Sequence, residues 1–79
     1  MVYTENAVCN RIRDLREDND VRQKYLADYL NCSQQAYSNY ELGTRDIPPD
    51  VLIKLAEFYK TNVDYILGLT KNKTYYKEL

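Results

Sequence analysis

Gln34 and Gln35 stand side by side directly after Ser33, and Ser38 and Asn39 follow one helical turn later. A carboxamide holds a donor and an acceptor in one plane, which is the complement of the N6 and N7 edge of adenine. Such base contacts come from the first residues of a helix that can enter a groove. Four short uncharged polar side chains on one face also differ from a merely solvated surface, which more often carries Lys and Glu. Gln23 and Arg45 flank this set. Gln23 falls in the first turn of the preceding helical segment, where free amides and side chain together can hold a phosphate oxygen. Arg45, just past the second segment, is placed to reach backbone phosphate.

Two short helices and a tight turn are needed to present these side chains. Tyr25, Leu26, Tyr29 and Leu30, then Ala36, Tyr37 and Tyr40, recur at helical spacing on either side of Asn31-Cys32-Ser33. Asn tolerates the left-handed conformation that ends a helix, and Ser33 can accept a hydrogen bond from the free amides that begin the next. The pattern predicts one helix over 22–30 with Tyr25, Leu26, Tyr29 and Leu30 as its apolar face. A second is predicted over 34–42, with Tyr37 and Tyr40 inward and Gly43 as the stop. Val8, Ile12 and Leu15 predict an amphipathic helix over 5–18 that leaves Arg11 and Arg13 on its solvated face, closed by the turn residues Asn19-Asp20. Pro48-Pro49 open a strongly apolar helix containing Val51, Leu52, Leu55, Ala56, Phe58 and Tyr59, ending near Lys60-Thr61. Asn62 can cap a last short helix over 63–67, closed by Gly68. The reading is an all-α domain of five helices over residues 1–69. Residues 70–79 form a polar C-terminal tail that is frayed, strand-like or folded onto a partner chain.

At 79 residues the chain has room for one small domain. No apolar run approaches the roughly 18 to 20 residues of a membrane span, and the N-terminus lacks the regions of a signal peptide, so no membrane is implied and a cytoplasmic location is expected. His is absent and no Cys-x-x-Cys occurs, so no metal or other cofactor is assigned. Cys9 and Cys32 read as small core-filling thiols. An enzyme is excluded in the same way, for there is no Gly-rich phosphate loop and no nucleophile with a base beside it. Lys and Arg number 11 against 12 Asp and Glu, a net charge of -1. That balance is not one of a protein held chiefly by phosphates, so few phosphate contacts per subunit and dependence on a second copy are expected.

Taken together, Ile12-Arg-Asp-Leu-Arg16, Gln23-Lys-Tyr-Leu-Ala27, Ser33-Gln-Gln-Ala-Tyr-Ser-Asn-Tyr-Glu41, Gly43, Ile47-Pro48, Leu52-Ile-Lys-Leu-Ala56 and Val63-Asp-Tyr-Ile-Leu-Gly68 form a specific set. Over residues 7 to 68 the chain resembles the lambda repressor/Cro-like, XRE-type helix-turn-helix family of bacterial and phage regulators. The resemblance implies a compact five-helix repressor-like domain whose helix-turn-helix is made by helices 2 and 3. It implies base contacts from Gln34, Gln35 and Asn39 and backbone contacts from Gln23, Ser38 and Arg45. Arg16 and Glu41 match a pair that joins helix 1 to the end of helix 3. Arg22 departs from the usual Thr or Ser cap of helix 2, which forfeits a cap but adds a phosphate-contacting cation. Asp20, Asn31 and Lys60 stand where the family often has Gly. The expectation is a sequence-specific transcriptional regulator, a repressor, that binds double-stranded DNA as a homodimer and has no evident small-molecule ligand. The alternative is a protein-interaction module such as an antitoxin with a repressor-like fold.

Overall fold

Five helices follow one another in the computed structural model, which describes residues 5–75: α1 (Glu5–Asp18), α2 (Gln23–Tyr29), α3 (Gln34–Leu42), α4 (Pro49–Tyr59) and α5 (Val63–Ile66). There is no strand among the described residues. Each helix sends a large side chain into full burial: Ile12 from α1, Leu26 from α2, Tyr37 from α3, Leu55 from α4 and Ile66 from α5. At about 25 cal/mol per Å² of apolar surface removed from water, such residues contribute roughly 1.5 to 3 kcal/mol each relative to exposure. Helices this short would not persist alone, so their docking on this shared core is what holds them.

The helices also stop in one common way. After each, a residue in the left-handed region lets two amides turn back onto the last carbonyls. The residues are Asp20, Asn31, Gly43, Lys60 and Gly68, with φ of 57°, 61°, 78°, 56° and 81°. The longer of the two bonds in each case spans five residues, as in Val21 N–H to the Arg16 carbonyl at 3.0 Å and Cys32 N–H to the Ala27 carbonyl at 2.9 Å. The same pattern joins Thr44 to Asn39, Thr61 to Ala56 and Leu69 to Asp64. Only Gly43 and Gly68 take the conformation without a Cβ penalty. Asp and Asn accept it through their short polar side chains, and Lys60 carries the strain of about 1 to 2 kcal/mol expected of a long side chain there.

Two expectations about helix faces are corrected. Tyr25 and Tyr29 are 62% and 42% exposed rather than buried. On a helix of two turns the inward arc is filled by Leu26, Ala27 and Leu30, which pushes the tyrosines to the flank, where their rings meet Phe58 at 6.1 and 5.0 Å. Arg11 is not simply solvated. It donates from Nη1 to the Tyr65 carbonyl at 2.9 Å and lies 4.0 Å from the centre of the Tyr65 ring, so it ties α1 to α5. Arg13 stays exposed and donates from Nη2 to Asn10 Oδ1 of its own helix at 3.2 Å. Cys9 and Cys32 are both half-buried and are not bridged to each other.

Residues 72–74 rest against the junction of α4 and α5. Asn62, itself buried, accepts from the Tyr65 amide at 2.8 Å and so caps α5, while its Nδ2 donates to the carbonyls of Asn72 at 2.9 Å and Thr74 at 2.7 Å. Thr61 adds a bond from Oγ1 to the Lys73 carbonyl at 3.1 Å. The outer parts of the two segments expected from sequence, residues 1–4 and 76–79, lie outside the described residues.

Candidate nucleic-acid interface

Ser33 starts α3 with extended backbone, and its Oγ accepts from the Ala36 amide at 3.0 Å. Asn31, in the left-handed region two residues earlier, closes α2. Between them the chain reverses within the three residues Asn31-Cys32-Ser33, and the half-buried Cys32 plugs the underside of the turn. Burial pushes the Cys32 thiol above its ordinary value against an opposing pull from Arg45, so the thiol stays protonated and acts as packing.

The inner face of α3 is fixed by aromatic packing. Tyr37 is fully buried and Tyr40 nearly so, with rings 6.2 Å apart at 89°, the edge-to-face arrangement favoured by their quadrupoles. Because both rings are locked inward, the opposite face must point outward. Gln34 and Gln35 are exposed there, and Ser38 and Asn39 are half-buried. Gln35 Nε2 donates to Asn39 Oδ1 at 3.2 Å.

Glu41, at the far end of α3, is 8% exposed and is the hub that orients the unit. Arg16 of α1 grips it with two bonds, Nε to Oε2 at 2.6 Å and Nη2 to Oε1 at 3.1 Å. The remaining Arg16 nitrogen, Nη1, donates to the Val21 carbonyl at 3.1 Å in the turn before α2. Gln23, the first residue of α2, donates from Nε2 to Glu41 Oε1 at 3.0 Å. One carboxylate therefore joins α1, the α1–α2 turn, α2 and α3. Burial pushes the Glu41 carboxyl up, but hydrogen bonding from Arg16, Tyr37 and Gln23 and the Arg16 charge outweigh it and hold it below the usual carboxylate range. The same contact holds Arg16 above its ordinary value. Burial pushes the phenols of Tyr37 and Tyr59 far up, helped in Tyr37 by its hydrogen bond to the Glu41 carboxylate and in both by that negative charge, and the Tyr59 hydroxyl is buried without a hydrogen-bond partner among the described residues.

Of the other residues singled out from sequence, Arg22 is exposed immediately before α2 and makes no side-chain cap. Arg45 is exposed in the loop after α3, its guanidinium 6.0 Å from the Tyr40 ring centre. Gln23 has one Nε2 hydrogen committed to Glu41 and keeps a second, together with its oxygen, for another partner. The Gln23–Glu41 bond was not read from sequence, because residues 18 apart carry no periodic signal. The Gln35–Asn39 bond was not read from sequence either, although it joins positions i and i+4 of one helix face.

A family model described as helix-turn-helix matches residues 12–66, more than half of the chain. The uncharacterized HTH-type transcriptional regulator YobD of Bacillus subtilis (strain 168) is 39% identical over 62 residues, 78% of this chain and 55% of that protein. The HTH-type transcriptional regulator ImmR of the same organism is 38% identical over 58 residues, 73% of this chain and 46% of that one. The cryptic phage CTXphi transcriptional repressor RstR of Vibrio cholerae is 36% identical over 50 residues, 63% of this chain and 45% of its own. The chain thus spans about half the length of the curated relatives it matches. No solved structure matches it.

Proposed function

Because the chain belongs to the XRE-type helix-turn-helix family, we propose that it is a sequence-specific DNA-binding transcriptional regulator, a repressor, that acts as a homodimer. The observation that carries this reading is the uncharged outward face of α3, Gln34, Gln35, Ser38 and Asn39, set on a helix whose inner face is locked by Tyr37 and Tyr40. A rigid support matters because a base contact is worth its full energy only when the reading side chain is already held near its bound geometry. In this reading α3 lies in the major groove with Gln34, Gln35 and Asn39 at base edges. Arg22, Gln23, Ser38 and Arg45 meet phosphates and fix the register.

Charge supports few phosphate contacts. Between residues 21 and 45 the cations are Arg22, Lys24 and Arg45. Lys24 lies 3.8 Å from Asp28, and the other acid, Glu41, is taken by Arg16. Arg22 and Arg45 are the cations of this stretch with no acidic partner among the described residues, so one subunit binds weakly and two bind together. Repression follows if the occupied site overlaps a promoter, since the bound dimer excludes polymerase from it.

Selection from random duplexes at low salt tests the proposal. The expected result is one enriched motif, repeated with two-fold symmetry and with half-sites about 34 to 36 Å apart or a multiple of that. Absence of any enriched motif contradicts it. A protein-interaction module such as an antitoxin is the second reading, favoured by the exposed Tyr25 and Tyr29 rings beside the half-buried Phe58. Co-purification of a protein partner together with indifference to duplex DNA is the result that selects it.

A further inference from the structure

Asn39 and Gln35 do not act independently. A free carboxamide is ambivalent in the major groove. With one N–H and its oxygen it matches adenine, which offers an N6 donor and an N7 acceptor, and with both N–H groups it matches guanine, which offers two acceptors, N7 and O6. In this structure Gln35 Nε2 already donates one hydrogen to Asn39 Oδ1 at 3.2 Å. What Gln35 has left to face a base is one N–H and Oε1. That remainder complements adenine, whereas against guanine the oxygen would oppose a second acceptor.

We infer that Asn39 is a positioning residue that makes Gln35 choose adenine over guanine, by holding one of the two Gln35 amide hydrogens. The inference rests on the reading of α3 as a DNA-reading helix and adds to it which base Gln35 accepts and which residue enforces the choice. Asn39 is suited to the task because its own placement is constrained. It is half-buried, whereas Gln35 is exposed, and its backbone carbonyl is held by the Thr44 amide at 3.1 Å in the turn that closes α3. The flexible partner is thus aligned by the fixed one. Gln34, exposed and without a side-chain hydrogen bond among the described residues, has no such constraint and keeps both amide hydrogens. The two neighbouring glutamines therefore differ in selectivity although they are the same residue type.

The experiment uses the full chain and the duplex enriched in selection. Gln35→Ala first locates the base pair that Gln35 reads, as the position where preference is lost. Affinity is then measured with adenine or guanine at that position for the unsubstituted protein, Asn39→Ala and Asn39→Asp, with thermal melting to show that each variant is folded. The unsubstituted protein is expected to prefer adenine by roughly 10-fold or more, within the range a good bidentate contact discriminates. Asn39→Ala is expected to reduce that preference to within about 3-fold, because Gln35 regains its second N–H for guanine. Asn39→Asp keeps an oxygen that accepts from Nε2, so it is expected to retain the adenine preference while weakening binding to all duplexes through its added negative charge. A merely structural Asn39 would not produce that split. Three results overturn the inference while leaving the DNA reading intact: the Gln35 position is not adenine, Asn39→Ala keeps the full preference, or Asn39→Asp loses it as completely as Asn39→Ala. If no duplex is enriched at all, the DNA reading fails and this inference fails with it.

Discussion

Arg16→Ala is expected to lower the stability of the fold by about 3 kcal/mol at neutral pH. The magnitude follows from what is left behind. The Glu41 side chain is 5% exposed and loses its bidentate partner, while the small cost of removing Arg16 itself, 17% exposed, keeps the loss near the lower end for a broken buried pair. For a domain of this size that corresponds to a fall in Tm on the order of 15 °C. The pH dependence supplies a signature. In the intact protein Glu41 is held below the usual carboxylate range, so its contribution is fully present above the unfolded-state value and is lost as pH falls through the folded one. In Arg16→Ala the unpaired buried carboxyl is shifted upward instead, so its penalty is felt at neutral pH and relieved in acid. The gap between the two proteins is therefore expected to narrow as pH is lowered below the carboxylate range. Thermal melts across pH check both parts. A variant within about 0.5 kcal/mol of the parent at pH 7, the scatter of ordinary surface substitutions, would show that the carboxylate hub does not hold α1, α2 and α3 together.

Gln34→Ala and Arg45→Ala are expected to weaken DNA binding in different ways. Gln34 is exposed on the outward face of α3, and its removal costs base preference at one position by roughly 1 to 3 kcal/mol while leaving non-specific binding unchanged. Arg45 lies outside the helix, exposed in the loop and near the Tyr40 ring, so its removal weakens all sequences alike. With Arg22 and Arg45 as the available cations of each subunit, a dimer neutralises about four phosphates, and the slope of log affinity against log salt is roughly -0.9 per phosphate. Loss of one Arg in each subunit reduces that slope by about 2. Salt titrations on the enriched duplex and on a scrambled one separate the two outcomes. An equal loss on both duplexes from Gln34→Ala would remove it from the base-reading set.

Much of this arrangement was legible in the sequence because it is local. Ser33, Gly43, the Pro48-Pro49 pair and Asn62 each mark a helix end through their own backbone or side-chain chemistry, and α3 runs from Gln34 to Leu42 as its caps require. Tyr37 and Tyr40 were placed inward by spacing alone and are buried. Periodicity failed where a short helix offered more apolar residues than its inward arc can hold, which is why Tyr25 and Tyr29 are on the flank. It also could not reveal partners far apart in sequence. Asn62 was legible as a cap of α5, but its second task, holding the carbonyls of Asn72 and Thr74, depends on a chain reversal that no local pattern encodes. The Gln23–Glu41 bond and the Arg11–Tyr65 stack are of the same kind. For the candidate site, residue types and spacing pointed to a face, whereas the amide bond that divides labour within that face needed coordinates.

If the outward amides of α3 meet base edges, those amides themselves report it. In the full chain labelled with ¹⁵N, the side-chain NH₂ signals of Gln34, Gln35 and Asn39 are followed while the enriched duplex or a scrambled duplex of equal length is added at the same salt. These three signals are expected to shift and saturate with the enriched duplex and to stay near their free positions with the scrambled one. Unchanged amide signals on binding, or equal shifts with both duplexes, would contradict base contact by α3.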